Sequence, residues 1–167
     1  MKTSPKEIIR GKRVLAVDDE QDILDALIEH LDICKIDTAS SFEEAKKMLE
    51  ENLYDITILD IMGVDGFSLL EIAIARGIPA LMLTAHALSE ETLKRSADMC
   101  ASYYVPKEEI HKIEIFVADV IEAVEKKKSP WIKCFERLGS FYDERFGGTN
   151  WREKEKEFWE SRIKPLK

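Results

Sequence analysis

Short apolar runs alternate with longer segments of helical period along most of this chain. Val14-Leu15-Ala16-Val17 is such a run, and its lack of polar alternation is typical of a central strand that is covered on both faces. The next segment repeats apolar residues at spacings of three and four, the pattern of a helix with one apolar face. Repetition of this unit predicts a parallel sheet with helices on both faces.

Five strand–helix units fit between about residues 12 and 125. The predicted strands are Val14–Val17, Lys35–Ala39, Tyr54–Leu59, Pro79–Leu83 and Ser102–Val105. The helices that follow them are predicted at 23–31, from 42 onward, at 67–76, at 90–99 and at 110–124. The fold class is therefore α/β, with a doubly wound, five-stranded parallel sheet.

The balance of charge and the distribution of apolar residues exclude several classes of protein. The net charge of −8 repels nucleic acid unless a basic patch is segregated somewhere. No apolar run approaches the roughly 20 residues that a membrane span needs, and the N-terminus lacks the apolar stretch of a signal peptide. Cys34, Cys100 and Cys134 are scattered and not at metal-ligand spacing. We expect a cytoplasmic protein without nucleic-acid or membrane partners.

Polar side chains stand where the predicted strands end. Asp18 and Asp19 follow the first strand, Asp60 the third and Thr84 the fourth, and Lys107 lies at the exit of the fifth. The carboxyl ends of parallel strands form the ligand-binding edge of such a sheet, so these groups converge. Converging carboxylates oppose one another's ionisation and need a cation. Mg²⁺ prefers such oxygen ligands and keeps a position for a substrate phosphate.

A carboxylate nucleophile beside Mg²⁺ implies phosphoryl transfer. Asp60 is the natural nucleophile because it stands alone beside the acid pair, whereas Asp18 and Asp19 are placed together to hold metal. Lys107 can pair with a phosphoryl oxygen, and Thr84 can donate its hydroxyl to another.

An alternative reading is an Mg²⁺-dependent phosphatase that works through an aspartyl intermediate. Such an enzyme would need a second acid two residues after its nucleophile, and that position is Met62 here. We therefore expect no enzyme, and only self-directed phosphoryl transfer and hydrolysis.

Four motifs, taken in this order, resemble the receiver domain of two-component response regulators. They are Val14–Glu20, Ile58–Met62, Met82–Ala85 and Tyr104–Lys107. The resemblance covers about residues 12–125, roughly two thirds of the chain. It implies a flavodoxin-like sheet with strand order 2-1-3-4-5.

The resemblance also implies roles at the acidic edge. Asp60 looks like the phosphoacceptor for a histidine kinase or a phosphotransfer protein. Asp18, Asp19 and Asp60 match the family's Mg²⁺ ligands, and the main-chain carbonyl of Met62 matches a further ligand.

Residues of the fourth and fifth strands receive roles by the same resemblance. Thr84 and Lys107 match the pair that contacts the phosphoryl group. Tyr104 resembles an aromatic switch that turns inward as Thr84 is drawn toward the phosphoryl group, and an ordinary edge-strand tyrosine is the alternative. His86 occupies a position that overlooks the site and could tune hydrolysis; the alternative is a plain loop histidine.

The chain departs from the family pattern in two places. Gly63 stands where a Met-Pro segment usually begins, and Asp65-Gly66 follows Asp60 early, so the loop is two residues short. Lys107 is followed by Glu108 instead of proline, which predicts a trans peptide bond and an altered loop. The short loop keeps open a further alternative, a degenerate receiver that serves as an interaction scaffold.

A change of composition after about residue 127 predicts two units, a receiver at 1–127 with its core at 12–125 and a C-terminal extension at 128–167. The extension has a net charge of +3 against −11 for the rest, and it holds all three tryptophans. A DNA-binding output is excluded, because aromatic residues occupy the positions where a recognition helix needs polar ones.

Aromatic and apolar residues recur in the extension at steps of four, three and four, which predicts a helix with one aromatic face. They are Trp131, Phe135, Leu138 and Tyr142. A second helix is predicted from Trp151 to about residue 162. The aromatic face packs on the receiver, forms a homodimer, or docks another protein.

Overall fold

The computed structural model describes residues 3–163, and a five-stranded parallel sheet forms its centre. The strands are β1 (Arg13–Val17), β2 (Lys35–Ala39), β3 (Ile56–Asp60), β4 (Ala80–Thr84) and β5 (Tyr103–Pro106). They lie in the order β2-β1-β3-β4-β5, and every neighbouring pair is parallel. The predicted fold class and strand order are confirmed.

Helices follow each strand and continue beyond the sheet. Within the described residues they are α1 (Pro5–Ile9), α2 (Gln21–His30), α3 (Phe42–Glu51), α4 (Gly66–Ala75), α5 (Glu90–Asp98), α6 (Ile113–Lys126), α7 (Trp131–Arg145), α8 (Asn150–Glu153) and α9 (Lys156–Ile163). A 3₁₀ helix, Lys107–Lys112, precedes α6. In residues 3–163 no helix combines the length and the apolar composition that crossing a bilayer requires.

The central strands are buried along almost their whole length, because helices cover both faces of the sheet. Every residue of β3 and β4 is buried, as is all of β1 after Arg13. Serine side chains cap the N-termini of two of the covering helices. Ser41 Oγ accepts a hydrogen bond from the Glu44 amide, and Ser89 Oγ accepts one from Thr92. Both caps stand where the sequence predicts a helix start.

Two helices differ from the prediction. The short α1 was not predicted; Ser4 caps it, and its one fully buried side chain, Ile9, joins the core. The predicted second helix of the extension is divided into α8 and α9. In one continuous helix, side chains eight residues apart would point about 80° apart. The break lets Trp151 and Trp159 both pack on Phe135, with ring centroids 5.9 and 5.1 Å away.

The aromatic face of α7 lies inside this chain, against β5 and α6. Three of its predicted residues, Trp131, Leu138 and Tyr142, are each at most 3% exposed, whereas Phe135 is half-buried and packs on Trp151 and Trp159. Of the three predicted environments for this face, packing on the sheet domain is therefore the one the structure shows. The division into 1–127 and 128–167 falls after the last residue of α6 and stays a prediction, and its terminal residues, 1–2 and 164–167, lie outside the described part.

Candidate functional site

A cavity of about 340 Å³ opens at the carboxyl edge of the sheet, where the strand ends deliver polar side chains. Asp60 ends β3, Thr84 ends β4, and Lys107 follows β5 directly. The cavity is lined by Asp19, Glu20, Asp60, Met62, Gly63, Thr84, His86 and Lys107. Asp18 lies beneath this lining, fully buried. The sheet topology thus brings the predicted edge residues to one place.

The ammonium group of Lys107 joins the carboxylates of two strands. Its Nζ lies 2.9 Å from Asp18 Oδ2 and 3.3 Å from Asp60 Oδ1, and 3.4 Å from Glu20 Oε1. Burial by itself lowers the pKa of Lys107. The negative charges of Asp18 and Asp60, and their hydrogen bonds with the ammonium group, outweigh burial, so the pKa of Lys107 is raised. Lys107 therefore stays charged and partly neutralises the acidic edge. The residues from 3 to 163 contain no cis peptide bond, and Glu108 in place of proline does not prevent this reach.

Asp18 is the most deeply buried acid of the site. Its Oδ1 accepts a hydrogen bond from the Glu20 amide at 2.9 Å. Its buried Oδ2 lies 2.9 Å from Lys107 Nζ and has no other polar partner among the described residues. Burial raises the pKa of Asp18, although the Glu20 amide and Lys107 act in the opposite direction. A carboxylate oxygen that pairs with a single ammonium group can accept a further ligand.

The donor set at this edge fits a hard cation. One carboxylate oxygen from each of Asp18, Asp19 and Glu20 lies within 4.8 Å of the others. Oxygen donors of this type suit Mg²⁺, and Asp18 Oδ2, which pairs with Lys107 alone among the described residues, can serve as one of them. Glu20 was not among the predicted ligands; its place directly after the acid pair is the signal that could have included it.

The loop after β3 supports Asp60 and is unusually tight. The Gly63 amide donates a hydrogen bond to Asp60 Oδ2 at 3.0 Å. A Cβ at Gly63 would lie 2.2 Å from Asp19 Oδ1, and one at Gly66 would lie 2.2 Å from the Asp60 carbonyl oxygen. Asp65 has a φ of 53°, which closes the turn. The two glycines therefore allow the shortened loop to close against the acids.

The carbonyl oxygen of Met62 has a weak partner inside this loop, the Asp65 amide at 3.5 Å. The Met62 side chain is 67% exposed at the rim of the cavity. This carbonyl therefore has only one weak hydrogen bond within the protein.

The sequence alone did not predict the role of Gly63. That role depends on contact with Asp19, which lies 44 positions earlier in the chain.

Thr84, at the end of β4, and His86, in the loop that follows, also line the cavity. Thr84 is buried, and its Oγ1 accepts a hydrogen bond from the Ala87 amide at 3.1 Å. His86 is exposed and lines the cavity. The Thr84 hydroxyl thus holds the loop after β4 through the amide of Ala87.

Tyr104 of β5 is fully buried and points toward the start of α5. Its hydroxyl lies 2.6 Å from Thr92 Oγ1 and accepts a hydrogen bond from the Ser89 amide at 3.2 Å. Thr92 uses its one hydroxyl proton on the Ala87 carbonyl, so Tyr104 donates to Thr92. Burial raises the pKa of Tyr104, against the lowering effect of these bonds. The ring is therefore held inward in this structure.

A parallel 2-1-3-4-5 sheet with an acid pair after β1, an aspartate ending β3 and a lysine after β5 defines the class of receiver domains. Residues 14–118 match the family model described as the response regulator receiver domain, and the chain belongs to this family.

Relatives of known name share parts of this chain. It is 38% identical over 101 residues to the two-component response regulator ARR18 of Arabidopsis thaliana, covering 57% of this chain and 16% of that protein. It is 45% identical over 83 residues to the heme response regulator HssR of Staphylococcus aureus (strain Newman), covering 46% of this chain and 37% of that protein. The matches thus span between about a sixth and somewhat more than a third of these relatives' lengths.

Solved structures share the fold. A Francisella receiver domain, response regulator 1452, gives a TM-score of 0.61 at 24% identity, covering 68% of this chain and 99% of that one. A CheY-like receiver domain protein of Methanospirillum hungatei JF-1 gives 0.56 at 25% identity, covering 67% and 98%. The similarity to these compact receivers leaves about a third of this chain unmatched.

Proposed function

We propose that Asp60 accepts a phosphoryl group from a histidine kinase or a phosphotransfer protein. The observation that carries this proposal is the environment of its carboxylate. Lys107 approaches one oxygen at 3.3 Å, and the Gly63 amide binds the other at 3.0 Å. The carboxylate is thus fixed on two sides and faces a cavity that can admit a phosphoryl donor.

Asp18, Asp19 and Asp60 would hold Mg²⁺, with the Met62 carbonyl as a further ligand and Glu20 beside them. When bound, the ion neutralises the charge that gathers on the phosphoryl oxygens. The close carboxylates support this assignment, as does Asp18 Oδ2, which pairs with Lys107 alone among the described residues. The lightly engaged Met62 carbonyl is free enough to join them.

The chain's own residues perform the transfer by position and charge. A carboxylate oxygen of Asp60 forms a bond to phosphorus while the bond from phosphorus to the donor's imidazole nitrogen breaks, and that nitrogen takes a proton from water. Lys107 pairs with a phosphoryl oxygen as it leaves Asp18 and Asp60. Thr84 donates its hydroxyl to another phosphoryl oxygen. Water that later attacks phosphorus passes His86 at the rim of the cavity.

The new dianionic group would then shift a conformational equilibrium that includes Tyr104. The size of the shift is limited by how differently the two states bind the phosphoryl group. We infer a signalling module rather than an enzyme with a separate substrate. The absence of an acid at position 62 opposes an aspartyl phosphatase.

The test is uptake of phosphoryl from acetyl phosphate with Mg²⁺, measured by intact mass. We expect one phosphoryl group on the full chain and none on Asp60→Asn. Asp55→Asn is the matched control, since Asp55 lies at the opposite end of the same strand, where it accepts a hydrogen bond from the Arg13 amide. A chain that stays unmodified under these conditions would support the degenerate scaffold instead. Steady turnover of a phosphate ester would support the phosphatase.

A further inference from the structure

The segment that carries Lys107 has few fastenings of its own. Lys107 opens the 3₁₀ helix that runs to Lys112, and no residue of this helix is fully buried. Among residues 3–163 no side chain caps its first turn. Runs of 3₁₀ helix longer than three or four residues are also uncommon, because their hydrogen-bond geometry is poor. The placement of Lys107 therefore depends on restraints from outside the 3₁₀ helix.

Glu108, the residue after Lys107, stands where a proline would stiffen the chain. The ring of proline fixes φ near −65°, and glutamate leaves that dihedral free. The Glu108 carboxylate instead forms an ion pair with Arg145, whose Nη2 donates to both carboxylate oxygens. Within residues 3–163 neither group has another ion pair. The segment is thus tied to the C-terminal extension by a pair that serves no other contact of this kind.

Arg145 stands on a helix that is firmly held. It is the last residue of α7, and Tyr142, one turn earlier, is fully buried and donates its hydroxyl to the Tyr104 carbonyl. The guanidinium group of Arg145 also lies over the Phe141 ring, 4.8 Å from the centroid, which restricts its rotamers. A charged group that is fixed in this way can restrain a partner on a less rigid segment.

We propose that Arg145 is a positioning residue for phosphoryl transfer to Asp60. It acts through Glu108, whose tethered side chain restrains the first turn of the 3₁₀ helix and so holds Lys107 at the acidic edge. The inference rests on the proposed function, in which Lys107 exchanges its carboxylate partners for a phosphoryl oxygen. At that moment the carboxylates no longer hold the ammonium group, and the backbone of Lys107 must place it.

The expected effect is modest, because the pair is exposed. The side chains of Arg145 and Glu108 are 43% and 59% exposed, and water screens such pairs. Loss of the pair should therefore slow transfer by about threefold to fivefold, and not by orders of magnitude. A change of this size is well within the reach of a rate measurement.

The test measures the rate of phosphoryl uptake from acetyl phosphate by intact mass, on the full chain with saturating Mg²⁺. Arg145→Met should lower this rate by about threefold to fivefold. Lys154→Met is the matched control, because it breaks an exposed pair that links the extension to Glu90 of α5 instead. The control should keep the parent rate, and both variants should have the same free energy of unfolding in urea.

Three further measurements separate positioning from a general loss of structure. In a Lys107→Met background, Arg145→Met should not slow the residual uptake any further. The charge-swapped chain, Glu108→Arg with Arg145→Glu, should regain at least half of the parent rate, whereas Glu108→Arg alone should not. At about 1 M salt, where the Debye length is about 3 Å, the parent chain and Arg145→Met should differ less.

Each outcome decides the inference or the function beneath it. A parent-like rate in Arg145→Met, or a slowing that persists without Lys107, overturns the positioning role and leaves the proposed function standing. If the parent chain takes up no phosphoryl group, the proposed function fails and the positioning role fails with it. If Arg145→Met does not fold, or if Lys107→Met takes up nothing, the charge-swapped chain decides: a restored rate supports the positioning role, and an unrestored one overturns it.

Discussion

Gly63 offers a sharp test of how this short loop positions the proposed Mg²⁺ site. In Gly63→Ala the new Cβ would lie 2.2 Å from Asp19 Oδ1 and 2.4 Å from its Cγ. The carboxylate must retreat by about 1 Å to reach ordinary contact distance. Asp19 is exposed and can turn into solvent, so the clash is relieved by moving this side chain and not the backbone.

The expected effect falls on metal binding more than on folding. Metal ligands tolerate shifts of only about 0.2 Å, so we expect Mg²⁺ affinity to fall about tenfold, or about 1.4 kcal/mol. Gly63 does not have a positive φ, so alanine adds no backbone strain. The free energy of unfolding should stay within about 1 kcal/mol of the parent value. Calorimetric titration with Mg²⁺ and urea denaturation measure the two quantities.

A double-mutant cycle isolates the cause. In an Asp19→Ala background the side chain that clashes is absent, so Gly63→Ala should have no further effect on Mg²⁺ affinity. Gly139→Ala, in α7, controls for the substitution itself, because its Cβ would meet only the flexible end of Arg152 at 3.1 Å. Parent-like affinity in Gly63→Ala, or a tenfold loss that persists without the Asp19 carboxylate, would refute the reasoning.

One further substitution tests the electrostatics of the site, and one labelling experiment tests the burial of α7. Lys107→Met leaves the carboxylates of Asp18 and Asp60 without their counter-charge, and we expect the free energy of unfolding without Mg²⁺ to fall by about 3 kcal/mol in urea titrations. Because the folded-state pKa of Lys107 is raised, its contribution is complete below about pH 10 and is lost as pH rises through that raised value, so the difference between the two chains should shrink there. A constant difference across that range would contradict this account. Burial raises the pKa of the Cys134 thiol to about 12, so at about pH 8 iodoacetamide should alkylate the exposed Cys100 and leave Cys134 unmodified, as peptide mass spectra can show. Equal labelling of both thiols would mean that α7 is not packed as described.

The central strands β1, β3 and β4 were predictable because each is a largely apolar run with a polar residue at its carboxyl end, whereas β2, with the sequence Lys-Ile-Asp-Thr-Ala, shows this pattern only weakly. Burial on both faces leaves this pattern in the sequence, and the serine caps at Ser41 and Ser89 mark helix starts locally. The convergence of Asp60 and Lys107 followed from strand order alone. These features depend on short stretches of chain and on one topological rule.

The features that escaped prediction depend on contacts between distant segments. The five-residue α1 is too short to show a clear helical period, and its packing on α6 stabilises it. The break between α8 and α9 lets Trp151 and Trp159 both pack on Phe135, and no residue near the break predicts it from the sequence. The close contact of Gly63 with Asp19 has the same origin. Such details appear only when the chain is folded.

The covered edge of β5 has a consequence for association between copies of the chain. Strand-by-strand growth of a sheet into an aggregate needs a terminal strand with free main-chain groups. In the described part of the chain α7 closes one end of the sheet, and β2 remains at the other. β2 carries Lys35 and Asp37, and charged side chains on an edge strand oppose its pairing with a second strand. With β5 covered by the extension, β2 is the one edge strand of the described sheet at which fibril growth could begin, and its charged residues oppose that growth.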